Sequence, residues 1–377
     1  MKNQKRNKKK LAIIIRNFSA HGGGAERYCF ELTLELRKLY EVHVFCQDYS
    51  EIIDEVKFYK VPKIKKPRFL NQILFSFVTY LYSRKQNFEI IHSHDMVTFA
   101  NVYSIHVETV KSGVFRNKGF FKRLGVYINP RLLAYIFLER KQMSIHKNQK
   151  KAIVAVSSLN KRDIEINYPK TKNSLHIASP AISIDRTINS TQINISEKYG
   201  IPKNAFIIIF VGHNFRRKGL QVLINACEKI QQINPWIIVA GRDNPDSVRF
   251  SSEASKSKAI FLGEISDISP FYSLANVIVH PTLGDTYGMA ILEAMFFKTV
   301  PIISNEKFCG IASELDESNS IKLKDPQNSS ELSQKLLKLY NQKDLYLKLS
   351  NNAKIFAEGK TWKKVASKFS PIYNEII

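Results

Sequence analysis

Cysteine is scarce in this chain. Cys29, Cys46, Cys227 and Cys309 are the four present, and none stands in a CxxC pair or other metal-ligand spacing. That argues against a metal site built on cysteine pairs. Three of them lie in or beside apolar runs, where a free buried thiol is the ordinary state, so a reducing cytoplasm is the expected compartment. Long hydrophobic runs are lacking too. No stretch of about 18 uncharged apolar residues occurs, and no segment is expected to span a bilayer. Six Lys/Arg in residues 1–10 precede the apolar Leu11–Ile15. That run is short, Arg16 ends it, and no small-residue cleavage site follows, so a signal peptide is not expected. Low-complexity tracts are absent as well, and an apolar fraction of 44% argues against disorder. A length of 377 residues suffices for two domains with full cores.

Acid is what the first half lacks most. Residues 1–180 hold 33 Lys/Arg against 14 Asp/Glu, a net +19, whereas residues 181–377 hold 24 against 19, a net +5, of the +24 total. A general lysine richness would not be confined to one half. The excess there points to a polyanionic partner: anionic lipid, an acidic glycan or nucleic acid.

What is present is a repeated alternation of strands and helices. Leu11–Arg16 reads as a buried strand, then Gly22, Gly23 and Gly24 as a turn, and Ala25–Leu39 as a helix. A first strand feeding a glycine-rich turn is the phosphate-loop arrangement of doubly wound folds, although it is neither GxGxxG nor a P-loop, and three glycines also make a plain tight turn. Further strands are expected at Glu41–Cys46, Val56–Val61, Phe88–His92, Asn101–His106, Ala152–Ser157 and Ser174–Ser179, with an apolar helix at Phe69–Ser83. The strand-end group His92, His94, Asp95 invites a metal reading, but without another ligand cluster the signal is weak, and a polar strand end with capping groups is the better account. Residues 111–150 carry ten basic residues, Glu139 as their one acid, and interleaved aromatics. They suit an anionic membrane interface, nucleic acid, or a solvated helix with its aromatics in the core.

The second half restarts the pattern. Strand Ala205–Val211 runs into Gly212-His213-Asn214-Phe215-Arg216-Arg217-Lys218-Gly219, and a helix is expected to about Gln232. Strands follow at Pro235–Ala240, Ala259–Leu262, Asn276–His280 and Thr299–Ser304, with Glu331–Ala357 helical and a helical tail from Trp362 to Tyr373. The chemistry concentrates in Asp285 to Glu293. Two carboxylates stand eight residues apart, with Gly288 between them at a helix start. An open helix N-terminus seats phosphate, and Glu293 falls about one and a half turns inside. Phosphate held by backbone and hydroxyls held by carboxylates is the chemistry of a sugar nucleotide. Two alternating units therefore predict an α/β protein of two doubly wound, Rossmann-like domains facing across a cleft, with ligands at the carboxyl ends of the strands. The domains are expected at 1–180 and 181–355, with 356–377 a C-terminal helix packing back on the first.

These features resemble the retaining glycosyltransferases of family 4, with the glycosyltransferase-B fold. The resemblance rests on Val211-Gly212, Arg217-Lys218-Gly219, Phe261-Leu262-Gly263, His280-Pro281, Asp285 with Glu293-Ala294, and Pro301. Within the family it looks most like enzymes that add glucose to the heptose of a lipopolysaccharide inner core. The resemblance implies a diphosphate clamp at Arg217 and Lys218, ribose hydroxyls held by Glu293, and donor-sugar hydroxyls held by Asp285. It places backbone of Tyr287, Gly288, Met289 and Ala290, with Gly23 and Gly24, at the phosphates, and Gly263 and Glu264 beside the base. His106 matches the histidine near the sugar, so that the implied catalytic set is Asp285, Lys218, Arg217 and His106. Two departures stand out: Asp285 replaces the more usual glutamate, and His213 replaces the usual arginine after the Val-Gly turn.

The expectation that follows is a cytoplasmic hexosyltransferase, peripheral on the inner face of the cytoplasmic membrane. It would move a hexose, glucose by resemblance, from a UDP-sugar to a lipid-linked acidic glycan with retention. No cofactor and no metal are expected, and nucleic acid is not the expected partner. Lys111, Arg116, Lys118, Lys122 and Arg123 would face the acceptor or the anionic surface. The competing readings are a sugar-nucleotide epimerase of the same architecture and a non-catalytic anionic-surface or nucleic-acid binder.

Overall fold

The computed structural model describes residues 8–115, 128–146, 149–183 and 195–377. The chain divides into two units, Met1–Pro180 with Trp362–Ile377, and Ala181–Thr361.

The first unit is built on seven parallel strands: β1 (Lys10–Ile14), β2 (Glu41–Cys46), β3 (Lys57–Lys60), β4 (Ile90–Ser93), β5 (Val102–Ile105), β6 (Ala152–Ala155) and β7 (Leu175–Ile177), in the spatial order β3-β2-β1-β4-β5-β6-β7. The central strands are apolar on both faces, and Leu11 to Ile14 have no exposed surface, as a parallel sheet covered on both sides requires. Helix α1 (Gly24–Leu36) follows β1, α2 (Arg68–Arg84) follows β3, and α3 (Pro130–Met143) packs against α2. Asn129 caps α3 by accepting from the backbone N–H groups of Arg131 and Leu132, which satisfies donors the helix start leaves open.

The second unit repeats the plan with β8 (Ile207–Val211), β9 (Trp236–Ala240), β10 (Ala259–Gly263), β11 (Val277–His280), β12 (Val300–Ser304) and β13 (Ile321–Leu323), in the order β10-β9-β8-β11-β12-β13, all parallel. Helices α4 (Leu220–Glu228), α5 (Met289–Phe296), α6 (Ser329–Asn341) and α7 (Lys343–Glu358) belong to this unit. Phe210, Leu220, Leu223, Val279 and Leu336 meet in one core cluster, each such side chain contributing about 1.5–3 kcal/mol on leaving water.

Two strand orders of the form 3-2-1-4-5-6 identify doubly wound sheets. In each, the chain reverses direction of progress between the first and fourth strands, β1 and β4 or β8 and β11. The loops leaving those two strands part there, and a crevice opens at their carboxyl ends.

The helical stretch expected over Glu331–Ala357 is present as two helices, divided at Gln342, which is neither helical nor αL. Continuous helical propensity hid the break, because the turn between α6 and α7 is a tertiary packing choice. The chain ends in α8 (Trp362–Ile376), which belongs to the first unit and packs on α1. Trp362, Phe369 and Tyr373 are buried there, and Trp362 meets Tyr28 edge to face at 5.1 Å.

Candidate functional site

At the switch point of the second unit, two loops bring one cation and one carboxylate together. After β8 the chain makes a short helical turn, Phe215–Lys218, whose first N–H groups are served by Asn214 and Asp243 side chains. Gly219 then takes φ +82°, and a Cβ there would come within 2.2 Å of the Pro281 carbonyl oxygen. No other residue allows this approach, and the approach is what carries Lys218 to the loop after β11. Backbone hydrogen bonds from Leu283 N–H to the Arg217 carbonyl, 2.8 Å, hold the two loops in register. The Asp285 segment is pinned from its other side, donating to Phe308 O at 2.8 Å and accepting from Gly310 N–H at 2.9 Å.

The result is that Asp285 Oδ2 receives both the Lys218 ammonium and His280 Nε2, the latter at 2.9 Å. His280 is fully enclosed, and its Nδ1 has no hydrogen-bonding partner. A bare ring nitrogen is less costly to bury than an unpaired N–H. The proton therefore sits on Nε2 and is donated to the carboxylate. Burial opposes ionisation of Asp285, but the His280 hydrogen bond and the Lys218 charge outweigh it and hold the carboxyl well below its usual range. For His280 burial dominates and lowers its pKa, so the imidazole is neutral. Asp285 is thus an ionised carboxylate with one oxygen engaged twice.

Beyond Asp285 the chain turns at Gly288, φ +104°, into α5. A side chain there would press on Ile291 and Cys309. No side chain caps α5, so its first-turn N–H groups at Met289 and Ala290 are available to an anion. Glu293 lies on the buried face of α5, and its Oε2 accepts from the Tyr272 hydroxyl at 3.3 Å. Tyr287 is buried, its carbonyl accepting from Ile311 N–H at 2.8 Å. Arg217, Gly263 and Glu264 are exposed, and Glu264 faces His213 at 4.0 Å. The arrangement offers what a sugar diphosphate needs: an ammonium, a guanidinium and open N–H groups for phosphates, and two carboxylates for hydroxyls.

The other predicted residues belong to the first unit. His106 follows β5, and its Nε2 meets His94 Nδ1 at 2.9 Å, the rings stacked. Burial pushes His106 down to about 3. His92 bridges the Tyr373 hydroxyl (2.7 Å) and Ser104 (2.8 Å), and Asp95 pairs with Arg16 at 2.9 Å. The strand-end group is therefore tied into the fold's own hydrogen bonds; among the described residues no cluster of His, Cys, Asp or Glu is placed to hold a metal ion. At Gly22 and Gly23 the Glu26 side chain folds back on the turn, so a Cβ on Gly23 would meet its Oε2 at 2.9 Å. The glycine turn thus already has an anion beside the start of α1. Lys111 sits in the short helix Val110–Phe115, with its ammonium on the Asn167 carbonyl at 2.9 Å. Arg116, Lys118, Lys122 and Arg123 lie outside the described residues.

His280 and Tyr272 were missed as functional partners. The signal for His280 was present, a polar residue closing an otherwise apolar strand five positions before an acid. Tyr272 had no signal, because its link to Glu293 is made across 21 residues. All four cysteines are free and buried.

A doubly wound pair of units with cation, carboxylate and open helix start at a switch point is the architecture of a nucleotide-sugar enzyme. Two family models match the chain almost end to end: Glycosyltransferase Family 4 over residues 22–186 and Glycosyl transferases group 1 over residues 191–356. The chain belongs to the family 4 glycosyltransferases and has the glycosyltransferase-B fold. It is similar to the lipopolysaccharide glucosyltransferase WaaG of Escherichia coli (strain K12), 25% identical over 255 residues, 65% of this chain and 66% of that protein. The chain thus spans just under two thirds of that relative's length in the match. A crystal structure of WaaG superposes with a TM-score of 0.78 at 19% identity, over 96% of this chain and 99% of that one. Anabaena Alr3699/HepE in complex with UDP-glucose gives 0.69 at 14% identity, over 96% and 98%.

Proposed function

We propose that the protein is a retaining hexosyltransferase that moves a hexose, glucose in the first instance, from a UDP-sugar to a lipid-linked acidic glycan of the lipopolysaccharide-core kind. The observation that carries this is the Lys218–Asp285–His280 constellation at the β8/β11 switch point, with Glu293 on the helix that starts from the same loop. The match to WaaG, a lipopolysaccharide glucosyltransferase, supports the donor and acceptor class.

In this reading Lys218 and Arg217 offset the charge that builds on the departing diphosphate, together with the open start of α5. That supply of positive charge does the work a divalent ion would do elsewhere, so metal-independent turnover is proposed. Glu293 holds ribose hydroxyls, and the Asp285 carboxylate, aimed by His280, holds the sugar. Neither is a nucleophile, and the departing phosphate itself assists the acceptor hydroxyl. The excess of cations in the first half supports a position on the inner face of the cytoplasmic membrane, where a lipid-linked acceptor would reside.

The test is thermal-shift screening of UDP-sugars, then turnover on lipopolysaccharide-core acceptors with the anomeric configuration read by NMR. Glu293→Ala and Lys218→Ala should each lose UDP binding; undiminished affinity in both would sink the donor site. Incubating the UDP-sugar without acceptor separates the epimerase alternative, which needs none.

A further inference from the structure

Helix α2 is inside out. Its most buried side chains are largely polar: Asn71, Gln72, Ser76, Thr79 and Ser83 are all buried, with Phe75 the fully enclosed apolar one and Val78 and Tyr82 packed against the core beside it. Those polar groups are satisfied inside the fold. Asn71 and Gln47 exchange two amide hydrogen bonds of 2.9 Å, and Gln72 donates to the Met96 carbonyl at 2.8 Å. The opposite face is apolar and in water. Leu70, Ile73, Phe77 and Leu81 are 43, 42, 58 and 43% exposed, at spacings of three, four and four residues, which makes one stripe about 16 Å long.

A hydrophobic stripe this continuous calls for a partner, and the surrounding charge says which. From residue 56 to residue 88 the chain has eight Lys/Arg and no Asp or Glu. Lys63, Lys65, Lys66 and Arg68 are exposed before the stripe, and Arg84 and Lys85 after it. The adjoining α3 exposes Leu133 and Phe137, and its one acid, Glu139, is buried. Two copies meeting through α2 would set cations against cations, and base stacking would find a single aromatic ring, Phe77, among the four. An acidic lipid surface satisfies both features at once, accepting aliphatic side chains among acyl chains and cations at the headgroups.

We infer that α2 is the docking helix of this protein on an anionic bilayer, lying in the plane of the interface with Leu70, Ile73, Phe77 and Leu81 inserted and the flanking lysines and arginines on the headgroups. This names the surface by which the proposed enzyme reaches a lipid-linked acceptor, and in that sense it rests on the reading above. It differs in place from the residue 111–150 segment.

The experiment is flotation of the full chain with vesicles of phosphatidylcholine alone or with phosphatidylglycerol. The protein should bind the anionic vesicles. Ile73→Ser/Phe77→Ser/Leu81→Ser should weaken that by roughly tenfold or more while the variant still unfolds cooperatively, only modestly lower in temperature, because about half of each replaced side chain is already in water. Lys65→Gln/Lys66→Gln/Arg68→Gln should weaken binding at low salt and reduce its salt dependence, with Lys63, Arg84 and Lys85 still charged. No binding of the parent to anionic vesicles, or equal binding by parent and serine variant, overturns the proposal. So does a parent dimer that the serine variant converts to monomer with vesicle binding unchanged. UDP-sugar turnover on a delipidated acceptor is measured alongside. Its absence in the parent would remove the proposed activity and leave the vesicle result to stand or fall alone.

Discussion

Replacing Asp285 by asparagine keeps shape and removes one charge, at a place where that charge has two jobs. The carboxylate neutralises Lys218, whose side chain is 10% exposed, and it accepts from the enclosed His280. Breaking a buried pair by removing one partner costs about 3–5 kcal/mol. Asp285 is 19% exposed, and partial access to water discounts that figure to about 2–3 kcal/mol, or roughly 5–10 °C in the melting of a unit this size. The ammonium left behind is then short of an anion. If Lys218 is the diphosphate clamp, UDP supplies it, and the variant recovers on binding UDP part of what it lost. Asp285→Asn should therefore melt lower alone, show a larger UDP thermal shift, and bind UDP roughly tenfold tighter by calorimetry, tenfold being about 1.4 kcal/mol. Turnover should fall if the carboxylate holds the sugar hydroxyls as proposed, because the amide oxygen that replaces it is an uncharged and weaker acceptor. Lys218→Met/Asp285→Asn should abolish the gain, the double-mutant comparison isolating the coupling. Unchanged or weaker UDP binding in Asp285→Asn would refute the clamp, and an unchanged melting temperature would refute the pair.

Three further outcomes are expected. His92 and His106 are held near 3 by burial, and His94 well below its usual range. Their folded values lie below the unfolded value near 6.5, so the stability linked to neutral rings is complete above about pH 6.5 and is lost as pH falls toward 3. His92 and His106 should each cost about 2 kcal/mol at pH 5, with His94 adding in the same direction, and a melting temperature flat between pH 7 and 5 would contradict it. Gly219→Ala, driven against Pro281 O with φ +82°, should destabilise by at least about 2 kcal/mol and cut UDP affinity; denaturant titration checks the first, calorimetry the second. Phe369→Ala on α8, with no exposed surface, should cost about 3–5 kcal/mol in denaturant unfolding.

Much of the site was legible because its chemistry is local. Asp285, Gly288 and Glu293 lie on one strand–loop–helix segment, so their spacing already placed an acid on the loop and another inside α5. Lys218 and Gly219 likewise announce a turn after an apolar strand. Glu331–Ala357 is helical as its pattern indicates, but the break at Gln342 that divides it into α6 and α7 has no sequence signal.

The inverted face of α2 shows the same divide. Periodicity marks an apolar helix at Phe69–Ser83, but period alone does not say which face meets the core. That choice belongs to Gln47 and the Met96 carbonyl, which are remote in sequence and offer hydrogen bonds to Asn71 and Gln72. By itself the sequence determined the alternation of strands and helices, the two-unit plan and the residues at the strand ends, since these follow from near-neighbour pattern. Tertiary structure alone decided which of those residues touch. It put Lys218 and His280 on one oxygen of Asp285, tied His106 to His94, and turned a hydrophobic face to water. The longest of these links, Lys218 to Asp285 across 67 residues and Gln47 to Asn71 across 24, join segments that only the order of strands in a sheet brings together. Even the short His280–Asp285 link depends on how the loop after the strand turns back.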